Sequence, residues 1–323
     1  MPLMITAVLA GFALLIWGAD RFVVGAAATA HRLGVSSLLI GLTVVGFGTS
    51  APEIMVSISA AAGGAPELAA GNALGSNIAN IGLILGLTAL IMPLVVRSQT
   101  LRRELPMLLA ITLLALMPFL DSYLSRFEGL ALVGGLVLML FWLVHLETSS
   151  NSSDQLVAEA DAEIRHDLSL AKAVSILLVG LIVLLAGSQL LVWGATGIAK
   201  TLGISDLVIG LTVVAIGTSL PELAASIAAV FKNEHDLAIG NVIGSNMYNL
   251  LAVMGIAGII QPTALDAKVI ERDFPVMIGL TVLLFVMAYG WRKGGQRINR
   301  LEGAALLAIF VVYQSYIIYG EFV

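Results

Sequence analysis

The sequence predicts an all-α integral membrane protein: ten transmembrane helices forming two inverted five-helix repeats. Three observations lead there. The 323 residues are 59% hydrophobic and only 11% charged, with a mean hydropathy of +1.01, whereas a soluble domain carries about a quarter charged residues. Ten mostly apolar runs approach the roughly 20 residues that cross a bilayer as a helix. The chain also repeats itself at an offset of 169 residues.

The apolar runs lie near 3–29, 35–62, 66–93, 104–120, 127–146, 171–199, 204–231, 235–260, 274–291 and 301–320. Their weakest separations fall at 30–35, 63–66 and 232–235, where only Gly, Pro or one or two charges intervene. The first run could pass for a signal peptide over Leu3–Trp17. It lacks a positive start, Asp20 and Arg21 follow it, and the later repeat contains its counterpart, so it reads as a retained helix. Residues 147–170 stand apart, with SSNSSDQ and six acids: Glu147, Asp154, Glu159, Asp161, Glu163 and Asp167. Such a composition makes a solvated linker; a weak cation-attracting tether is the sharper alternative. The expected organisation is a first five-helix repeat over 1–146, an acidic linker over 147–170 and a second, inverted repeat over 171–323.

The duplication is explicit. Gly34–Glu53 lies on Gly203–Glu222 without a gap, with 14 of 20 positions identical. AAGNALGSNIAN (Ala69–Asn80) falls on AIGNVIGSNMYN (Ala238–Asn249) with seven of 12 identical, and LRRELP (Leu101–Pro106) on Ile270–Pro275. RFEG at Arg126 and RLEG at Arg300 match at a slightly different offset. Five spans per repeat force the second half to enter the membrane upside down. Inverted repeats of this kind typify secondary transporters, with the site at the midplane.

Cytoplasmic loops are enriched in lysine and arginine. With both termini outside, the inner loops hold Arg32, Arg97, Arg102, Arg103, Arg165, Lys172, Lys232, Arg292, Lys293, Arg297 and Arg300. The outer loops hold Arg126, Lys200, Lys268 and Arg272, with Arg21 inside a span. That balance of 11 to four predicts termini outside and the linker inside. No basic patch with interleaved aromatics suggests nucleic acid, and the absence of cysteine excludes disulfides and thiolate chemistry. The lipid bilayer is the expected partner, and a monomer is compatible with everything in the sequence.

GLTVVGFGTSAPE (Gly41–Glu53) and GLTVVAIGTSLPE (Gly210–Glu222) place a carboxylate inside an apolar run. A charge at a helix centre costs on the order of 2.5–3.5 kcal/mol on insertion scales, and neither glutamate has a lysine or arginine nearby in its own span. Protonation, a distant partner or a bound cation could offset the cost, and the flanking residues favour the cation. Gly48 with Pro52, and Gly217 with Pro221, weaken the helix and free backbone carbonyls, tolerated at this depth only inside protein or a wet cavity. Carbonyls, hydroxyls, amides and carboxylates are hard ligands suited to Ca²⁺ and Na⁺ rather than zinc or copper. Thr49 and Glu53, Thr218 and Glu222, Ser76 and Asn80, and Ser245 and Asn249 are all i,i+4 pairs, each sharing a helix face. Four such faces can enclose one set of cation positions. Two glutamates neutralise one Ca²⁺ or two Na⁺, and mutually exclusive occupancy of shared ligands is what an antiporter needs.

Blander readings exist for each feature. A single GTSxPE could be a kink with a snorkelling glutamate, but its duplication argues against that. GNALG and GNVIG read as small-residue helix packing that also brings Ser76, Asn77 and their counterparts near the glutamates. Asn77 and Asn246 either ligate or merely hold the backbone. Asp20 and Arg21 read as an interfacial pair. Glu67 and Asp206 suit helix N-termini, and histidines 31, 145, 166 and 235 are too scattered for a metal cluster.

GTSAPE with GSNIAN, and GTSLPE with GSNMYN, resemble the two alpha-repeat signatures of the cation/calcium exchanger superfamily. The nearest resemblance is to prokaryotic sodium/calcium exchangers, and it covers the whole chain. The resemblance implies a multi-pass protein of the prokaryotic plasma (inner) membrane with a cytoplasmic linker. It carries Ca²⁺ and Na⁺ as transported ions, uses no organic cofactor and is not an enzyme. Alternating access would come from the first and sixth spans, 3–29 and 171–199, sliding against the other eight. Carried over by position, the ligands would be Thr49, Ser50, Glu53, Ser76 and Asn80 with Thr218, Ser219, Glu222, Ser245 and Asn249. Backbone carbonyls of Phe47 or Gly46 and of Ile216 or Ala215 would join them. Glu53 and Glu222 would hold Ca²⁺; hydroxyls and carbonyls would serve flanking Na⁺ positions. Several family members carry Asp where this chain has Asn249, which puts potassium co-transport in doubt. The family's large regulatory calcium-binding domains are absent, and a linker of 24 residues is shorter than the ~40 residues below which a domain rarely folds alone.

Ca²⁺/H⁺ antiport on the same scaffold is the nearest alternative, since buried glutamates can carry protons; the Thr-Ser hydroxyl pairs favour sodium. A membrane protease using Ser50 or Ser219 would lack a base to activate the serine. A structural scaffold would not need duplicated buried acids.

Overall fold

A computed structural model describes residues 1–64, 66–96, 103–116, 121–149, 168–203, 215–265, 267, 269–289 and 297–322. Most of the acidic linker lies outside the described residues. So do Gly210–Val214, Asp206, His166 and the basic residues Arg97, Arg102, Arg165, Lys268, Arg292 and Lys293.

The chain opens with α1 (Pro2–Leu33), followed by α2 (Ser37–Thr49) and α3 (Ala51–Ala62). Next comes α4, which runs from Pro66–Ala79 through a π segment, Asn80–Leu85, into Gly86–Ile91. Strand β1 (Leu94–Val95), α5 (Glu104–Leu114), β2 (Tyr123–Leu124) and α6 (Arg126–Ser149) complete the first half. The second half follows the same order. It comprises α7 (Leu170–Thr201), α8 (Ala215–Thr218), α9 (Leu220–Phe231), α10 (His235–Ile260, with a π segment at Asn249–Val253) and β3 (Thr263–Ala264). A π turn at Val269–Asp273 leads into α11 (Phe274–Tyr289), then β4 (Arg297–Ile298) and α12 (Arg300–Phe322). Among the described residues six helices are long and apolar enough to cross a membrane: α1, α4, α6, α7, α10 and α12. The pair α2–α3 makes a seventh, bent by 44°.

Helices α1 and α7 each have 32 residues, hence about 48 Å, longer than the ~30 Å hydrocarbon layer. Pro2 suits the first turn of α1, and Gly34 ends it in the left-handed conformation (φ 67°). Gly203 (φ 79°) turns the chain at the equivalent place after α7. The two helices pack against each other through glycines seven residues apart: Gly11, Gly18 and Gly25 on α1, Gly180, Gly187 and Gly194 on α7. Gly11 faces Leu191, Gly18 faces Leu184 and Gly25 faces Leu177, so the helices run antiparallel. The approach is close enough that a Cβ on Gly18 would sit 2.5 Å from the Leu184 backbone nitrogen, and one on Gly187 2.7 Å from that of Leu15. Small residues are what allow membrane helices to approach backbone to backbone.

Helices α4 and α10 form the centre. Their apolar windows are 72% and 83% buried, against 28% for both α1 and α7. Gly82 and Gly86 seat α4 on Phe310 and Leu307 of α12; Gly255 and Gly258 seat α10 on α6 and β2. Two antiparallel ribbons join the halves. Strand β1 pairs with β4 (Leu94 opposite Ile298), and β2 pairs with β3 (Tyr123 opposite Ala264).

Asp20 and Arg21 form the pair expected from sequence, at the long end of ion-pair distance, and Asp20 has a nearer second partner. That partner is Lys232 at the end of α9, at 2.5 Å, while Arg21 stays 3.9 Å away. Neighbours in sequence point in different directions on a helix; the Arg21 guanidinium lies over the Trp17 ring, 5.7 Å from its centre.

Candidate cation site

The helix breaks fall where the duplicated motif predicts. α2 and α3 are separated at Ser50 (φ −79°, ψ 3°), α8 and α9 at Ser219 (φ −89°, ψ 2°). Pro52 and Pro221 occupy the first turns of α3 and α9, a place where a missing N–H costs nothing. Glu53 and Glu222 stand beside them in the same turns. A carboxylate at a helix N-terminus is favoured by the macrodipole, which offsets part of its burial cost. Upstream, each proline deprives the carbonyl four residues earlier of its donor. For Pro221 that is Gly217, and its carbonyl accepts the Ser188 hydroxyl of α7 at 2.9 Å.

Glu53 and Glu222 are each 1% exposed and within electrostatic reach of one another. The Ser50 hydroxyl donates across the repeats to Glu222 Oε1 at 3.4 Å. Thr49, Ser50, Ser76, Asn80, Ser219, Ser245 and Asn249 are buried as well, with Asn77 and Asn246; Thr218 is half-buried. Ser245 donates to the Gly46 carbonyl at 3.4 Å, which also accepts from Ser50 N at 3.1 Å. The side chains of Phe47 and Ile216 point outward, Phe47 edge-on to Tyr248, so only their carbonyls face inward chemistry; that of Ile216 accepts from Ser219 N.

The asparagines form a crossed pair between the halves. Asn80 Nδ2 donates to Asn246 Oδ1 at 3.0 Å, and Asn249 Nδ2 donates to Asn77 Oδ1 at 3.1 Å. Asn77 Nδ2 reaches the Asn246 carbonyl at 3.2 Å. The π segments of α4 and α10 begin at members of this network, Asn80 and Asn249. π segments inside α-helices commonly mark functional sites.

Five buried oxygens here have no hydrogen-bond partner: Glu53 Oε2, Glu222 Oε2, Asn80 Oδ1, Asn249 Oδ1 and Ser219 Oγ. Buried polar atoms are nearly always paired, and these oxygens, four of them related by the repeat, are of the kind that can donate to a cation. The described residues contain no group of three or more His, Cys, Asp and Glu able to hold a metal. The donors are two carboxylates and neutral oxygens, the chemistry of Ca²⁺ and Na⁺ rather than of transition metals.

The sequence reading missed a second layer. Asn72 Nδ2 donates to the Glu53 carbonyl and to Ser57 Oγ, each at 3.2 Å. Asn241 Nδ2 does the same to the Glu222 carbonyl at 3.2 Å and Ser226 Oγ at 3.0 Å. The signal was present: Asn72 and Asn241 are identical residues in register between the repeats, read only as part of a small-residue packing motif.

A duplicated, membrane-embedded helical scaffold with two carboxylates among unsatisfied oxygens defines the class as an ion-handling membrane protein. Comparison with known proteins then gives the family. The family model for the sodium/calcium exchanger protein matches residues 3–149 and again 172–319. The candidate antiporter CaxA of Alkalimonas amylolytica is 50% identical over 95% of this chain and 96% of its own. Sodium/calcium exchanger MaX1 of Methanosarcina acetivorans is 31% identical over 96% and 97%. A solved structure of the sodium-calcium exchanger NCX_Mj superimposes with a TM-score of 0.83 at 34% identity, covering 98% of this chain and 99% of that one. This chain belongs to the sodium/calcium exchanger family and is a multi-pass membrane protein.

Proposed function

We propose that the chain is a secondary antiporter that exchanges Ca²⁺ for Na⁺ by alternating access, with ten spans in two inverted repeats. One observation carries this reading: Glu53 and Glu222, one from each half, buried together among repeat-related oxygens that lack partners. A divalent ion shared between them neutralises both charges. Na⁺ held by the hydroxyls of Thr49, Ser50, Thr218 and Ser219, by Ser76, Asn80, Ser245 and Asn249, and by the Phe47 and Ile216 carbonyls competes for the same oxygens. Asn77 and Asn246 hold Asn249 and Asn80 in place. Exchange follows because the ions cannot occupy shared ligands together. The names of the relatives, sodium/calcium exchanger among them, support the same ions.

The long helices α1 and α7 are the moving pair. They are held to each other by a glycine seam, are little buried, and cross beside the site, where Leu181 of α7 lies against Gly48. Their antiparallel course is what an inverted repeat requires of equivalent helices. Both termini lie outside and the linker inside, following the excess of inner-loop arginine and lysine.

The test is flux into sealed vesicles containing the purified chain. Outward Na⁺ gradients drive calcium-isotope uptake, and a pH gradient without Na⁺ drives none. Uptake that follows pH and ignores Na⁺ transfers the reading to Ca²⁺/H⁺ antiport.

A further inference from the structure

One residue outside the ligand set touches both halves of the site. Asn241 of α10 is 1% exposed and makes three side-chain hydrogen bonds. Its Nδ2 donates to the Glu222 carbonyl at 3.2 Å and to Ser226 Oγ at 3.0 Å, both in its own half. Its Oδ1 accepts the Thr49 hydroxyl of the other half at 3.0 Å. The amide orientation follows from chemistry, because a backbone carbonyl can only accept and so must face the NH₂ group. The oxygen is thereby left for Thr49. That hydroxyl carries a single proton and can also give it to its own helix, at Val45 O 3.1 Å away. Asn241 Oδ1, across the repeat boundary at 3.0 Å, lies nearer than Val45 O or, at 3.4 Å, Gly46 O.

The consequence is mechanical. Thr49 is the last residue of α2, directly before the break at Ser50, and Glu222 stands in the first turn of α9. Asn241 spans the gap between these two helix ends, and a buried amide with three partners in fixed directions is stiff. We infer that Asn241 is the positioning residue that sets the spacing between the two halves of the cation site. The inference rests on the exchanger reading for what the site binds. Asn72 makes the matching contacts to Glu53 and Ser57 on its own side, so each glutamate-bearing turn is anchored to the next helix of its half. Outer partners of this kind hold metal ligands in geometry, and losing one typically lowers affinity about 10–100-fold.

The experiment measures Ca²⁺ binding by calorimetry on the full chain purified in detergent, for wild type, Asn241→Ala, Thr49→Ala and the double variant. Asn241→Ala is expected to weaken Ca²⁺ binding about 10-fold. The double variant should be weaker than the worse single one by less than the product of the two losses, because the residues share one contact while each keeps others of its own. Unchanged affinity in Asn241→Ala with only a lowered melting temperature reduces Asn241 to a packing residue and overturns the inference, as do losses that multiply. If Asn241→Ala cannot be purified folded, Ser226→Ala removes one of the strut's own acceptors. It should weaken Ca²⁺ about threefold, the scale of one neutral hydrogen bond, and no change overturns the inference. The Na⁺-driven flux of the wild type is scored separately, so a failed exchanger reading is distinguishable from a failed strut.

Discussion

Two pairs of equivalent helices of this protein pass the same test for membrane span, yet live in different surroundings. α4 and α10 are 72% and 83% buried over their apolar windows, while α1 and α7 are 28% buried. The first pair spends its small residues on bringing asparagines and serines into a polar centre, and its amides reach across the repeats. The second pair spends its glycines on one seam with itself. Mean hydropathy already separates them, 2.0 and 2.5 for α1 and α7 against 1.7 and 1.5 for α4 and α10, because the buried pair carries the polar side chains that find partners inside. The buried pair is tied into hydrogen-bond networks at fixed angles, whereas the peripheral pair is held to itself by close glycine contacts and presents most of its surface outward.

The comparison can be broken first at its centre. Glu53→Gln and Glu222→Gln each should cut Na⁺-driven calcium uptake by at least about 100-fold, since contacts to a charged group are worth up to about 3 kcal/mol. The protein should still purify folded; near-normal uptake would remove the central site. Next is the seam. Gly18→Leu puts a side chain where a Cβ already meets the Leu184 backbone, and overpacking of this kind costs typically 1–3 kcal/mol or more. Melting of the purified protein should fall clearly. Gly71→Ala on α4, where nothing lies within 4 Å of the added Cβ, should stay within about 0.5 kcal/mol. Equal effects of the two would erase the contrast between a glycine locked in the seam and one with open space beside it.

Smaller effects separate the halves from each other. Ser188→Ala removes the donor to the Gly217 carbonyl and should cost about 1 kcal/mol in thermal stability. Its repeat mate is Ala19, so the first half has no such hydroxyl at that place to lose. Smallest of all is Asp20→Asn. The Asp20–Lys232 pair is partly exposed, at 46% and 23% of the side chains, and such pairs contribute at most about 1 kcal/mol. A salt-dependent change in melting that vanishes when the charges are swapped by Asp20→Lys with Lys232→Asp identifies it.

Much of this was legible from the chain itself because duplication acts as an internal alignment. The break at Ser50 and Ser219, the placement of both glutamates beside a proline, and the burial of Ser76, Asn80, Ser245 and Asn249 all follow from local chemistry and a helical period. What escaped depends on long-range pairing. The π segments at Gly41–Val45, Asn80–Leu85 and Asn249–Val253 fall within runs whose apolar pattern reads as ordinary α-helix, and that at Val269–Asp273 directly precedes one. Asn72 and Asn241 look like part of a packing motif until Glu53 and Glu222 are seen to lie beside them. The glycine seam was written at equal spacing in both repeats, yet the pattern names no partner. Asp20 pairs with its sequence neighbour as read, but its nearer partner, Lys232, is 212 residues away and no local pattern names it.

The paired ribbons bear on how the molecule is made. Every strand of the first half, β1 and β2, has its partner in the second half, β4 and β3. A chain leaving the ribosome thus makes its first half with both strand edges open, and Arg297–Ile298 must be synthesised before the last of them closes. Assembly is delayed until translation is almost complete, and two separately produced halves would each carry a pair of sticky edges shaped for the other.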